Sequence, residues 1–183
     1  MSEHAEGFVA YLIRLREQDR GALAELRRSL SFAPGAYPPA YPYVERFVGP
    51  ERHAADPYRK ALYLVAGLFA LHPKAGSKSL AASLGQLMRD RESESIEKRF
   101  ISLLGADPEN LSNYLRQVVT LLAADDLGID YAALLDDLAR WLNSYAVDIR
   151  DQIRQRWARD FYRELAPHKS ESERTSSATT SSH

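Results

Sequence analysis

The stretch Asp56-Pro57-Tyr58-Arg59-Lys60-Ala61-Leu62-Tyr63-Leu64-Val65-Ala66-Gly67-Leu68-Phe69-Ala70-Leu71 decides the fold. Asp56 followed by Pro57 reads as a helix start. A carboxylate at the N-cap accepts hydrogen bonds from orphan backbone N–H groups, and proline suits the first helical position because an N–H there has no partner anyway. From Tyr58 to Leu71 the predicted helix is apolar on almost every side. Such a helix leaves water only if other helices surround it. Apolar residues recur at helical spacing on both sides of this stretch, and nowhere does the chain keep the strict alternation of a half-buried strand. The fold class is therefore all-α.

Toward the N-terminus, Phe8, Leu12 and Leu15 mark one helix and Leu23, Leu26 and Leu30 a second, separated by the turn residues Asp19 and Gly21. Phe32 to Tyr43 then carries Pro34, Pro38, Pro39 and Pro42, which cannot donate backbone hydrogen bonds and push their neighbours toward extended backbone. This reads as an ordered loop with Tyr37, Tyr41 and Tyr43 available to pack, leading to a short helical piece at Val44 to Val48. Toward the C-terminus, Ser79 caps a helix carrying Leu80, Leu84, Leu87 and Met88, and the polar Arg89-Asp90-Arg91-Glu92-Ser93-Glu94 marks a boundary. Beyond it come Ile96, Phe100, Leu103 and Leu104, ending at Gly105. The cap-plus-proline pair Asp107-Pro108 introduces Leu111, Leu115, Val118 and Leu122, and Asp130 caps a helix with Leu134, Leu138, Trp141 and Leu142. Ile149, Ile153, Trp157 and Phe161 mark the last helix. The pattern describes two small helical bundles, residues 1–90 and 93–166, with about eight or nine helices in all. The Ser/Thr-rich tail 167–183 has no apolar face to bury and is expected to be disordered.

The 183 residues carry 24 Lys+Arg against 25 Asp+Glu, a net charge of −1, with 45% apolar and 27% charged residues. That is ordinary globular composition with material for a core. A near-neutral chain does not coat nucleic acid by charge alone, so any such role must rest on charge gathered on one face. The total does conceal segregation. Gly105 to Ala139 holds seven acids against Arg116 alone, while Arg150 to Arg163 holds five arginines against Asp151 and Asp160. Arginine's planar fork suits bidentate phosphate contact and stacking better than the lysine point charge does. Shorter basic clusters recur at Arg27-Arg28 and Lys98-Arg99. Each also has a structural reading, because cations near a helix C-terminus complement the dipole and Arg–Asp pairs on solvated faces are commonplace.

Other chemistry is sparse. The absence of cysteine removes disulfides, thiolate metal sites and Cys nucleophiles together. Met1 to Glu6 lacks a signal-peptide pattern, and the longest apolar run, Ala61 to Leu71, falls short of the ~18–20 residues that cross a bilayer. A soluble, cytoplasmic protein is expected. Nucleophile elbows, phosphate-cradling glycine loops and metal-binding histidine motifs are all missing, so no catalytic residue, metal or cofactor is assigned and the protein is not expected to be an enzyme. Asp125-Asp126 and Asp136-Asp137 read as caps and solvated faces, His72 as a residue that bonds terminal helix carbonyls, and Trp141 and Trp157 as core. The loop cluster Tyr37, Tyr41, Tyr43, Glu45 and His53 is where an unrecognised catalytic site would sit, though nothing in its spacing demands chemistry.

The succession Asp19-Arg20-Gly21-Ala22-Leu23-Ala24-Glu25-Leu26-Arg27-Arg28, then Leu68-Phe69-Ala70-Leu71-His72-Pro73, then Glu97-Lys98-Arg99-Phe100 with Leu103-Leu104, resembles the CasB family. These are the small subunits of Cascade, the type I-E CRISPR interference complex. The likeness continues through Tyr114-Leu115-Arg116-Gln117-Val118-Val119, Ile129-Asp130-Tyr131, Leu135-Asp136-Asp137-Leu138 with Trp141, and Arg156-Trp157-Ala158-Arg159-Asp160-Phe161-Tyr162. It spans roughly Phe8 to Arg163. The resemblance implies a non-catalytic helical subunit, present in two copies, that touches the large and backbone subunits. It further implies contact with guide RNA and target DNA that is independent of sequence and stabilises the R-loop, an exchange of near-balanced duplexes that backbone contacts can tip. The basic residues inside matching motifs, Arg27, Arg28, Lys98, Arg99, Arg116, Arg156 and Arg159, are the implied phosphate contacts. Arg150, Arg154 and Arg163 are added on the charge balance of the last helix. The competing reading is a protein-only helical adaptor whose arginines meet carboxylates.

Overall fold

The computed structural model describes residues 2–166, which form nine α-helices. They are α1 (Glu3–Gln18), α2 (Arg20–Ser29), α3 (Tyr41–Val44), α4 (Pro57–Leu71), α5 (Leu80–Arg91), α6 (Glu94–Leu104), α7 (Leu111–Ala124), α8 (Tyr131–Trp141) and α9 (Val147–Leu165). The all-α expectation is met; the β pairing among the described residues is a single parallel bridge between Ala75 and Ile129. The tail expectation at 167–183 lies outside the described residues. No helix among them is long and apolar enough to cross a membrane.

The helix starts follow from their caps. The Asp56 carboxylate accepts from the backbone N–H groups of Tyr58 and Arg59 at 2.9 and 3.2 Å, with Pro57 as the first residue of α4. Burial alone would raise that carboxyl, but these bonds and the Arg52 guanidinium outweigh it and hold it below the ordinary Asp value. Asp19, Ser79 and Asp130 cap α2, α5 and α8 in the same way. At Asp107-Pro108 the outcome differs: the Asp107 carboxylate accepts from the N–H groups of Glu109 and Asn110, closing a separate turn, and α7 begins only at Leu111. The proline-rich segment is also more helical than expected. It forms a 3-10 turn at Pro38–Ala40 followed by α3, because Pro38, Pro39 and Pro42 fall at first-turn positions where no N–H is needed, and the helical piece expected at Val44 to Val48 is a 3-10 turn at Glu45–Phe47.

Helix α4 is the centre of the molecule, with Ala61 through Ala70 buried without interruption. It is flanked by α2, α7 and α8, while α5 runs along α9. The α5–α9 crossing needs Gly85: a Cβ there would stand 2.3 Å from the Phe161 carbonyl oxygen. The polar stretch read as a boundary forms the last residues of α5, the two-residue turn Glu92-Ser93 and the first residue of α6, and α4–α8 and α5–α9 contacts cross it within one continuous apolar cluster. His72 fastens the halves further. Its Nε2–H donates to the Leu127 carbonyl at 2.7 Å, and its own carbonyl accepts from the buried Tyr131 hydroxyl at 2.6 Å. The imidazole therefore serves another segment's carbonyl rather than those of its own helix. Ile149 departs from the predicted stripe and is 42% exposed, since core packing of α9 begins one turn later at Ile153.

Candidate nucleic-acid interface

Helices α6 and α9 adjoin through aromatic side chains. Phe100 stacks on Phe161 with ring centroids 4.1 Å apart and planes 10° from parallel. One residue further on, the Tyr162 hydroxyl donates to the Glu97 carboxylate at 2.7 Å, a bond that raises the phenol above its ordinary pKa. Lys98 and Arg99 project from α6 and Arg159 and Arg163 from α9; all four are exposed and none makes an ion pair among the described residues. The neighbouring carboxylates on α9 are engaged elsewhere. Glu164 is held by Lys78 and Arg89, and Asp160 accepts from the Ser79 hydroxyl at 3.0 Å. Four cations on two adjoining helices thus keep their charge available to a ligand.

The other candidates divide. Arg116 on α7 is exposed and meets none of the acids of its segment. Arg27 and Arg28 are exposed on α2, away from α9; Arg27 Nε donates to the Ala70 carbonyl at 3.3 Å, and Arg28 pairs with Glu25 at 2.9 Å. Arg150 is structural in its contacts, donating to the carbonyls of Trp141 and Asn143 that end α8. Arg154 lies over the Trp141 ring at 5.4 Å, pairs with Asp151 and donates to the Ala106 carbonyl. Arg156 ends on the buried Asp137 carboxylate, which also accepts from Trp157 Nε1–H at 2.7 Å. Asp137 is thus no member of a solvated face: it is 8% exposed, in contact with the core. Its neighbour Asp136 holds the backbone N–H and hydroxyl of Ser2, both at 2.7 Å, tying the start of α1 to α8. Asp125 pairs with Arg91 and Asp126 with Lys74.

Arg140, outside the sequence-derived set, is exposed in the last turn of α8. It lines a cavity of about 260 Å³ with Arg156, Ser79 and the three acids Asp136, Asp137 and Asp160. Its signal was the basic residue in the last turn of α8, which a segment count ending at Ala139 passes over. The side chains of the loop cluster take up separate partners. Tyr37 donates to Glu25 at 2.6 Å, Tyr41 to the Gly35 carbonyl at 3.0 Å, and Glu45 accepts from Arg59 and from Tyr63, while His53 is exposed. Among the described residues no three His, Asp or Glu side chains stand where they could hold a metal ion. Trp141 and Trp157 pack against each other in the core at 5.1 Å.

The pattern of the family described as CRISPR-associated protein Cse2 matches residues 22–162, which include every candidate cation except Arg163. A Cse2 protein of Thermus thermophilus is 42% identical over 161 residues, covering 86% of this chain and 89% of that protein. The crystal structure of CasB from Thermus thermophilus superposes with a TM-score of 0.73, covering 88% of this chain and 99% of that one. A chain of a solved CRISPR RNA-guided surveillance complex superposes at 0.75 with 27% identity, over 89% and 94% of the two chains. With the match running from α2 nearly to the end of α9, this chain belongs to the Cse2 (CasB) family of CRISPR-associated proteins.

Proposed function

We propose that this chain is a non-catalytic subunit of a CRISPR RNA-guided complex and that it holds nucleic acid by its phosphates through the α6–α9 face. The observation that carries the reading is the set Lys98, Arg99, Arg159 and Arg163, exposed and unpaired on adjoining helices of a protein whose net charge is −1. Guide RNA and target DNA are the ligands, and R-loop stabilisation the consequence, since sequence is read by base pairing and the protein needs only to retain backbone. Arg116 and Arg140 are further exposed cations without an ion pair among the described residues, whereas Arg150, Arg154 and Arg156 chiefly position α9. Exposed Tyr145, Val147 and Ile149 at the start of α9 offer apolar surface to a neighbouring subunit, whether the large subunit, a backbone subunit or a second copy.

Titration of the purified chain with a labelled single strand tests this. Affinity should fall steeply with salt, and the quadruple variant K98A/R99A/R159A/R163A should bind about tenfold more weakly, with the log–log salt slope shallower by about 0.7 for each phosphate that the variant no longer neutralises. Affinity that is indifferent to salt, or unchanged in a folded quadruple variant, overturns the phosphate face and favours the protein-only adaptor.

A further inference from the structure

Tyr162 lies in the open on the α6–α9 face, 42% exposed, although the preceding Phe161 is fully buried. The ring is nevertheless held at both ends. At its root it meets Phe161 edge-to-face, with centroids 5.1 Å apart and planes at 83°, and at its tip the hydroxyl donates to Glu97 of α6 at 2.7 Å. The side chain thus reaches from one helix to the other. Among the described residues no guanidinium lies over it. Ile101, one turn beyond Glu97 on α6, adds exposed apolar surface to the same face.

The charges around the ring are those of the phosphate face. Arg159 precedes Tyr162 by one turn on the same side of α9, and Arg163 follows it. Lys98 and Arg99 follow Glu97 at the hydroxyl end. Asp160 is turned away to the Ser79 hydroxyl, in the cavity it shares with Arg140 and Arg156, and Glu164 is held by Lys78 and Arg89. Glu94 and Glu97 are left against Lys98, Arg99, Arg159 and Arg163, so the frame of the ring is basic. Such a frame attracts an anion, and the electron-rich face of the ring selects among anions. It repels a carboxylate, so an acidic peptide would use the cations and leave the ring idle. A chain of phosphates that carries flat groups uses both. In a duplex those groups are already stacked on one another; in a single strand they are free to meet the ring.

We infer that Tyr162 is a stacking platform for one unpaired base of a single strand whose phosphates lie on Lys98, Arg99, Arg159 and Arg163. The inference rests on the nucleic-acid reading above and adds to it a contact independent of charge. Stacking on an aromatic side chain inside a basic groove is tolerant of sequence, because every base has a π-face. The Glu97 bond orients the ring before the strand arrives, so little side-chain freedom remains to be lost on binding.

The test compares the full chain's affinity for a short single-stranded thymidine oligonucleotide with that for an abasic strand of equal length and charge. The thymidine strand should bind about tenfold more tightly, and the ratio should hold as salt weakens both. Tyr162→Leu removes the ring and should bring the ratio near one, with helicity unchanged. Tyr162→Phe loses the bond to Glu97 but keeps the ring, and should keep most of the ratio. Equal, measurable affinities of the unsubstituted chain for the two strands overturn the platform alone, as does a ratio that survives Tyr162→Leu or one lost equally in Tyr162→Phe. Failure of both strands to bind removes the phosphate face, and the platform with it.

Discussion

Removing the Asp137 carboxylate strands two donors at once, because Arg156 and Trp157 Nε1–H both end on it. The guanidinium is half-exposed and can return to water, but the indole N–H is buried with its ring and cannot. Most of the cost of Asp137→Ala therefore comes from an unsatisfied buried donor, about 1–3 kcal/mol. A urea melt should show the midpoint falling by that amount with little change in slope; an unchanged midpoint would mean the indole finds another acceptor. Arg156 is a poor probe of nucleic-acid binding for the same reason, since its loss disturbs Asp137. The burial of Asp137 was legible after all. It falls on the stripe of Leu134, Leu138 and Trp141, three residues after the first and four before the last. What no spacing could supply was its partner, because Trp157 lies on another helix.

Helix boundaries were largely legible in the caps, since Asp19, Asp56, Ser79 and Asp130 act locally on N–H groups two or three residues on. Helix pairing was not, because it depends on which small residues let two backbones approach. Gly85 is such a residue. Its substitution by alanine places a methyl 2.3 Å from the Phe161 carbonyl oxygen, and that backbone yields only if α9 moves. Overpacking of this kind costs about 1–3 kcal/mol. Gly7 in α1 provides the opposite case, with nothing within 4 Å of an added Cβ. There alanine should stabilise by about 0.5–1 kcal/mol through helix propensity and reduced freedom of the unfolded chain. The pair should move thermal midpoints in opposite directions; a shift of the same sign in both would contradict the close approach of α5 and α9. A displaced α9 also moves Arg159 and Arg163 relative to Lys98 and Arg99, so Gly85→Ala should weaken single-strand binding without touching a cation.

At the scale of the whole chain, the near-zero net charge conceals a division between paired and unpaired cations. Lys74, Lys78, Arg59, Arg91 and Arg156 meet carboxylates, and the exposed cations without an ion pair among the described residues include Lys98 and Arg99 on α6, Arg116 on α7 and Arg159 and Arg163 on α9, together with Arg14, Arg20, Arg27 and Arg140 on other helices. That partition depends on the interlocking of the two halves, because Lys74–Asp126 and Arg91–Asp125 join residues before and after the α5–α6 turn. Two bundles at 1–90 and 93–166 and one interlocked body predict different behaviour on cutting the chain at that turn. Fragment 1–91 would expose the faces of α4 and α5 that rest on α8 and α9, and fragment 94–166 the complementary faces. Either fragment keeps helix propensity but loses the tertiary burial that makes short helices stable in water. Each fragment alone should therefore show reduced far-ultraviolet helicity and a broad, non-cooperative melt, and mixing the two should restore helicity and a cooperative transition. A fragment 1–91 that melts cooperatively by itself would establish an autonomous N-terminal bundle. In that case the α4–α8 contact would be a docking surface between two folded units rather than part of one core.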